Sequence, residues 1–386
     1  YAVLLANNGQ KLTNNGVAAA AGTELIDGLD AVNLTFTASE TSGEANVLEA
    51  LTTGTITGTI SDGGAAALLH ASSGVTALSR THNLTITVTD ASVSAANITA
   101  LDAKTSGTLT INSGTVVGSA SELIAAYAAG TAGTVAGLGS EAITVTGGLS
   151  VADFNTLAAK TDLLITATVT TTDATTLKTI AESGHSLTIT IADTVAAAAD
   201  ISAIDALTTG QVTVSSGTIS GTNAELLAVN VLKTAGTTIT AADVAKTITD
   251  PVTAAEANTI HALTTGTITA TISDTTTALV DNLTGVEGTN SPANNYTITL
   301  SETTVDAANL IAVNNRSLLP INASSITTLT GTAANILTWL VENSDFDTDY
   351  TTAKARTITG LDDVAVTILP ATDTVSYTHL TLPTKA

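Results

Sequence analysis

Alternating apolar and polar residues mark a series of short β-strands along this chain. The clearest case is residues 84–90 (LTITVTD), whose three aliphatic side chains share one face while Thr85 and Thr87 share the other. A period of two is typical of a strand with one buried and one solvated face. Because Thr-x-Thr recurs throughout the chain, the pattern predicts many such strands with threonine on the solvent side.

A short helical segment follows most of these strands. In residues 93–103 (VSAANITALDA), Ile98 and Leu101 fall on one stripe, whereas Asn97 and Asp102 fall elsewhere. This spacing predicts two or three turns of helix with a single apolar stripe. The elementary unit is therefore a strand, a turn and a short helix.

Two residues recur at fixed places in the units, one after the helix and one after the strand. A glycine closes the TTG or TSG after the helix, and we expect it to end the helix in a left-handed conformation. An acidic residue follows the strand, and we expect it to close a turn or cap a helix. The glycines are Gly54, Gly107, Gly210 and Gly266, and the acidic residues are Asp62, Asp90, Asp193, Asp274 and Glu302.

The units are organised in a longer repeat of about 105 residues. Equivalent residues of the first helix, Asn46, Asn155 and Asn258, recur at steps of 109 and 103 residues. The length difference falls in the loop after the second helix, which is short in one copy, at residues 184–186, and longer in the other two. Variation confined to one loop is typical of stacked repeats, because surface loops tolerate insertions.

This periodicity predicts three repeat blocks, each with four strand–helix units. The blocks are residues 34–142, 143–246 and 247–355, with residues 1–33 as the end of a preceding block and residues 356–374 as the start of a fourth. The last twelve residues, 375–386 (VSYTHLTLPTKA), break the pattern and resemble translated sequencing-adapter DNA. We therefore expect this tail to be an artefact and the chain to be a segment of a longer reading frame from environmental DNA.

The order of elements predicts the fold class. A strand that returns through a helix pairs in parallel with the next strand, and such crossovers are almost always right-handed. No single unit buries its apolar face alone, so the units must stack. The predicted fold is α/β, a right-handed solenoid of short parallel β-strands each followed by a short helix, with one sheet whose Thr-covered face meets solvent. The alternative is an all-β solenoid, or β-helix, in which the helical segments are loops and extra strands.

Composition and charge limit the function. The chain has 11 Lys+Arg against 34 Asp+Glu, a formal net charge of −23, which argues against nucleic acid as a partner. No apolar run reaches the length of a membrane span, because Thr, Ser and Gly interrupt every stretch. Aromatic residues are 2% of the chain and cysteine is absent, which suits thin repeated layers and excludes disulfides and thiolate sites.

No catalytic or cofactor motif is present in the sequence. It contains no H-E-x-x-H, G-x-S-x-G, P-loop or dinucleotide-binding glycine motif. His70, His82, His185 and His261 share no ligand spacing, so we expect them to be solvated or packed. Calcium is the cation that an acidic repeat could bind, but the Gly-Gly-x-Gly-x-Asp nonapeptide and the EF-hand loop are both missing. We therefore expect no catalytic residue, no metal site and no cofactor.

The recurring threonines are the candidate binding residues. Stacked about 4.8 Å apart, they resemble the flat threonine arrays of ice-binding solenoids. The simpler interpretation is that threonine suits an exposed strand position. The candidate ladder consists of Thr85, Thr87, Thr188, Thr190, Thr297 and Thr299.

The pattern LTITVTD…VSAANITALDAKTSG resembles the Ala/Thr/Asp-rich solenoid repeats of very large, adhesin-like bacterial surface or secreted proteins. The resemblance implies a non-catalytic structural or adhesive stalk, extracellular or at the cell surface, whose partners are neighbouring repeats of the same chain. One alternative is a solenoid that binds calcium, a glycan or ice through the Thr-x-Thr face. A more remote alternative is a polysaccharide-active β-helix enzyme, which would need a groove of clustered acidic and basic residues.

Overall fold

A computed structural model describes most of the three predicted blocks. The described residues are 32–49, 52–69, 77–79, 81–282, 294–314, 321–343, 358–361 and 364–369. Residues 1–31, the tail at 375–386 and His70 lie outside them. The chain forms two compact units, Tyr1–Thr190 with Ile204–Val212 and Ile191–Ala203 with Thr213–Ala386, and each is described by itself.

Short strands and short helices alternate from the first described residues onward. Up to Ile191 the elements are β1 Leu34–Glu40, α1 Ser42–Glu49, β2 Ile56–Ile60, α2 Ala65–Leu69, β3 Asn83–Val88, β4 Ser92–Ser94, α3 Ala95–Asp102, β5 Leu109–Ile111, β6 Thr115–Gly118, α4 Ala120–Ala132, β7 Val135–Ala136, β8 Ala142–Leu149, α5 Val151–Ala158, β9 Ile165–Val169, α6 Ala174–Leu177 and β10 Ser186–Ile191.

The same alternation continues in the rest of the chain. The elements are β11 Val195–Ala197, α7 Ala198–Asp205, β12 Val212–Val214, β13 Thr218–Gly221, α8 Asn223–Ala235, β14 Thr238–Thr240, β15 Ala245–Ile248, α9 Ala254–His261, β16 Ile268–Asp274, α10 Thr276–Asn282, β17 Asn295–Leu300, β18 Thr304–Asp306, α11 Ala307–Asn314, β19 Ile321–Asn322, β20 Thr328–Gly331, α12 Ala333–Asn343, β21 Ile358–Thr359 and β22 Ala365–Ile368.

The strands in the following orders pair in parallel, in several sheets. In the first unit the order is β1-β2-β3-β5-β7 in a first sheet and β4-β6-β8-β9-β10 in a second. In the second unit the order is β11-β13-β15-β16-β17-β19-β21 in a third sheet and β18-β20-β22 in a fourth. The predicted α/β class with parallel strands is confirmed. The all-β alternative is wrong, because the segments between the strands are helices of up to 13 residues.

The expectation of one sheet is wrong. The reason lies in the segment between the first strand of a unit and its helix. Where β3 ends, the chain turns and forms a second short strand, β4, before α3 begins. This second strand pairs with the second strand of the next unit, β6, and so starts a sheet of its own. New sheets start in this way at Ser92, Val195 and Thr304, at steps of 103 and 109 residues.

The core consists of aliphatic side chains from both kinds of element. Leu84, Ile86 and Val88 of β3 are fully buried, as are Ile98 and Leu101 of α3. The helix lies against β4, β5 and β6, so its apolar stripe covers the apolar faces of the strands. Burial of each such side chain contributes about 1.5–3 kcal/mol, and stacking is what makes that burial possible.

The glycines of the TTG and TSG sequences do not end the helices in a left-handed conformation, so that prediction is wrong. At Gly107, an added Cβ would lie 2.4 Å from the carbonyl oxygen of Leu84 in the preceding unit. Gly54, Gly210 and Gly266 stand equally close to a carbonyl oxygen of the preceding unit, at 2.4, 2.4 and 2.2 Å. Glycine is needed there because the two backbones approach too closely for any side chain. Left-handed glycines end the two longest helices instead, Gly133 after α4 and Gly236 after α8.

Candidate binding face

The six threonines of the predicted ladder lie on strands but not in one sheet. Thr85, Thr188 and Thr297 are exposed, and Thr87, Thr190 and Thr299 are half-buried. Their strands, β3, β10 and β17, belong to the first, second and third sheets. The structure therefore divides the predicted ladder into three local patches.

Within each patch the rows of hydroxyl groups are short. Side-by-side partners in register are Thr59 and Thr85, Thr168 and Thr188, and Thr271 and Thr297. Gly148 interrupts the row of Thr168, and the register shifts between Thr144 and Gly148. A flat array that matches a regular lattice needs long uninterrupted rows, and the described strands do not provide them.

A second class of threonine is buried and connects successive units. The Thr105 hydroxyl accepts hydrogen bonds from the N–H groups of Leu84, at 3.0 Å, and Gly107, at 2.8 Å, and donates to the Leu84 carbonyl. Equivalent bonds to the preceding unit are made by Thr52, Thr161, Thr208 and Thr264. The sequence interpretation missed this role. The signal was a threonine two residues before each of the recurring glycines.

The acidic residues after the strands cap helices, and the helix belongs to the preceding unit. Asp90, for example, accepts a 2.7 Å hydrogen bond from the N–H of Ala65, the first residue of α2. Asp62, Asp274 and Glu302 accept in the same way from Ser42, Ala254 and Thr276, at 2.6, 3.1 and 2.8 Å. Capping is thus confirmed for these four residues. Their carboxylates are occupied by helix N–H groups, and no metal-binding cluster of three or more His, Cys, Asp or Glu occurs among the described residues.

Two of the histidines are buried and accept a backbone hydrogen bond. His82 and His185 are 5% and 6% exposed, and their Nδ1 atoms accept from the N–H groups of Ile56, at 3.4 Å, and Ile165, at 3.1 Å. In the third block this place is taken by Asn294, whose Oδ1 accepts from Ile268 at 2.9 Å. Because an asparagine takes the same place, the property shared by all three side chains is that they accept a backbone hydrogen bond. His82 and His185 are therefore packed, which is one of the two states that the sequence predicts for the histidines.

A surface cleft of about 420 Å³ lies between α4 and α5. Its lining combines four aliphatic residues and two threonines with Tyr127 and one charged side chain, Lys160. The Tyr127 hydroxyl donates to the buried carboxylate of Glu141, which also accepts from the N–H of Ser140 at 2.8 Å. Burial, reinforced by this bond, raises the pKa of Tyr127. At the cleft, Tyr127 and Glu141 are thus engaged with each other through this hydrogen bond.

Comparison with known proteins gives no family. No family model, no curated protein and no solved structure matches this chain. Across the described residues, no helix has both the length and the apolar character needed to cross a bilayer.

Proposed function

We propose that the chain is part of a right-handed solenoid and serves as a structural or adhesive stalk of a large bacterial protein, extracellular or at the cell surface, without catalytic activity. The observation that carries the proposal is the use of polar side chains within each unit. Buried threonine, acidic caps and asparagine all bond to the neighbouring unit. Such bonds stabilise stacking and leave no convergent set of polar groups for chemistry in the described part of the chain.

The asparagines of the first helices illustrate this use. The side-chain amide of Asn155 in α5 donates to the carbonyl of Thr179 at 3.0 Å, and its oxygen accepts from the N–H of Ala181 at 2.9 Å. Asn46 and Asn258 make the corresponding bonds to the carbonyls of Ala77 and Asn282. One residue type at one place in each block holds the following loop. A repeat built in this way can be lengthened by adding copies without a new kind of interface.

The charge supports an exposed location. A net charge of −23 on 386 residues favours solubility and opposes self-association of neighbouring stalks. Threonine on the outer strand positions satisfies its hydroxyl group with water. Both features suit a long surface that must stay hydrated.

A ligand-binding solenoid is the second candidate, and one row of side chains favours it. Ser273, Thr299, Asn322 and Thr359 are in register across four adjacent strands of the third sheet. Such a row of hydroxyl and amide groups suits hydrogen bonding to a glycan. Binding that is lost in a Thr299→Val variant would support this candidate against a purely structural stalk.

The stalk proposal is tested by changing the copy number of the middle block, residues 143–246. Each added copy brings four units, and at about 4.8 Å per unit the protein should lengthen by about 19 Å per copy. Small-angle X-ray scattering of chains with one, two and three copies gives the maximum dimension and the cross-section. A constant cross-section with linear growth is the expected result. Growth in all directions, as in a globular protein, would contradict the solenoid.

A further inference from the structure

Lys246 occupies a core position of the third sheet. It lies on β15, in register with Ile219 of β13 and Ile268 of β16, and its side chain is 4% exposed. The residue 103 positions earlier is Ile143, which is fully buried and in register with Val116 and Ile165. One repeat length later, the equivalent strand thus has a lysine where the earlier strand has an isoleucine among aliphatic neighbours.

The Lys246 amine has no hydrogen-bond or ion-pair partner among the described residues. The charged group that acts on it is another cation, Lys233, in the last turn of α8. Burial first, and then repulsion by Lys233, lower the pKa of Lys246. A cation on a residue that is 4% exposed, repelled by a second cation and without a counter-charge, is unfavourable, and the neutral amine is the form that this environment favours.

A neutral lysine amine is a nucleophile, and its surroundings restrict what can react with it. A reactant must be small and uncharged to reach a side chain that is 4% exposed. The product should be an anion, because the nearby Lys233 would then attract the group that it now repels. Carbon dioxide meets both conditions.

We propose that Lys246 is a carbamylation site that takes up carbon dioxide. The Nζ lone pair attacks the carbon of CO2 and forms an N–C bond, while one C=O electron pair moves to oxygen. A proton leaves the nitrogen for solvent, so that amine and CO2 give a carbamate anion and one proton. The carbamate then presents a negative charge to Lys233, so that attraction replaces the repulsion between the two lysines.

The test uses the whole chain, equilibrated with 13C-labelled bicarbonate and CO2 near neutral pH. Trapping by O-ethylation and peptide mass spectrometry locates the modified amines. We expect more label at Lys246 than at the exposed Lys160, by about tenfold for each unit by which the pKa of Lys246 is lowered, since the neutral fraction changes tenfold per unit. The α-amino group at the N-terminus of the polypeptide used is the positive control for trapping.

Two variants separate the chemistry from the fold. Lys246→Ile introduces the residue found 103 positions earlier, Ile143, and it should abolish the carbamate signal in 13C NMR. It should also abolish the gain in melting temperature that we expect CO2 to give the chain that retains Lys246. Lys233→Gln should retain the fold and lower occupancy at Lys246 several-fold, since the anion loses its counter-charge. An unlabelled Lys246 beside a labelled N-terminal amine would overturn the proposal, as would equal labelling at Lys160.

Discussion

Replacement of the buried Thr105 by valine should cost far more stability than the same replacement on the exposed ladder. Valine has the shape of threonine, so the change removes the hydroxyl and little else. The Leu84 N–H, now bonded at 3.0 Å in a fully buried place, loses its acceptor, and so does the half-buried Gly107 N–H. An orphaned buried donor costs about 1–3 kcal/mol and the second bond adds about 1 kcal/mol. The expected loss is therefore about 2–4 kcal/mol.

Urea denaturation followed by far-UV circular dichroism measures the global change in free energy of unfolding. Because repeat proteins unfold in parts, hydrogen exchange at the Leu84 amide supplies the local measurement. Thr105→Ser keeps the hydroxyl and should lose about 1 kcal/mol or less. Thr85→Val, on the exposed face, should stay within about 0.5 kcal/mol of the original. The reasoning fails if Thr105→Val and Thr85→Val are equally harmless.

Two other substitutions follow from comparison of the blocks. His185→Asn should retain the acceptor for the Ile165 N–H and lower the free energy of unfolding by less than about 1 kcal/mol, whereas His185→Leu should lower it by about 1–3 kcal/mol. Urea denaturation measures both changes, and the reverse order would contradict the acceptor role. Lys246→Ile should stabilise the chain by about 1–4 kcal/mol, as when buried charges are replaced by apolar residues. Since the folded-state pKa of Lys246 is lowered, the unfolded chain binds more protons between that pKa and about 10.4, so the stability of the unmodified chain should rise with pH there. Melting curves across that range, under CO2-free conditions, should show the slope only with Lys246 present.

The fold class could be predicted because its signals are local. Alternation in residues 84–90 predicts a strand, and the structure has β3 at Asn83–Val88. The apolar stripe in residues 93–103 predicts a helix, and the structure has α3 at Ala95–Asp102. A strand followed by a helix then requires parallel pairing.

The second strands could not be predicted in the same way. β4 has three residues, Ser92–Ser94, and one buried side chain, Val93, so it shows no period of its own. Its strand conformation comes from pairing with β6, more than twenty residues later in the chain. Tertiary pairing decides such segments, and local propensity does not.

The polar contacts between units were also beyond a local interpretation. Asp90 follows a strand, and the sequence predicts that it closes a turn or caps a helix without indicating which helix. Its carboxylate reaches back to α2 of the preceding unit because stacking places that helix N-terminus beside it. Gly107 is similar, since the carbonyl that excludes a side chain there belongs to Leu84, in another unit. Sequence identifies the residues that matter, and stacking determines their partners.

The repeat supplies an internal comparison that distinguishes structural residues from exceptional ones. Where blocks differ but the chemistry is kept, as in His185 and Asn294, the shared acceptor is the requirement and the ring is incidental. At Ile143 and Lys246 the equivalent positions differ in polarity, one aliphatic and one basic. Packing cannot explain the lysine, because the aliphatic residue contacts the same kind of neighbours without the cost of an unpaired amine. A costly departure in one copy of an otherwise regular stack indicates a role that stacking does not need. By that criterion the exposed threonines, which every block repeats, are explained by the fold, and Lys246 is the residue whose chemistry calls for a separate explanation.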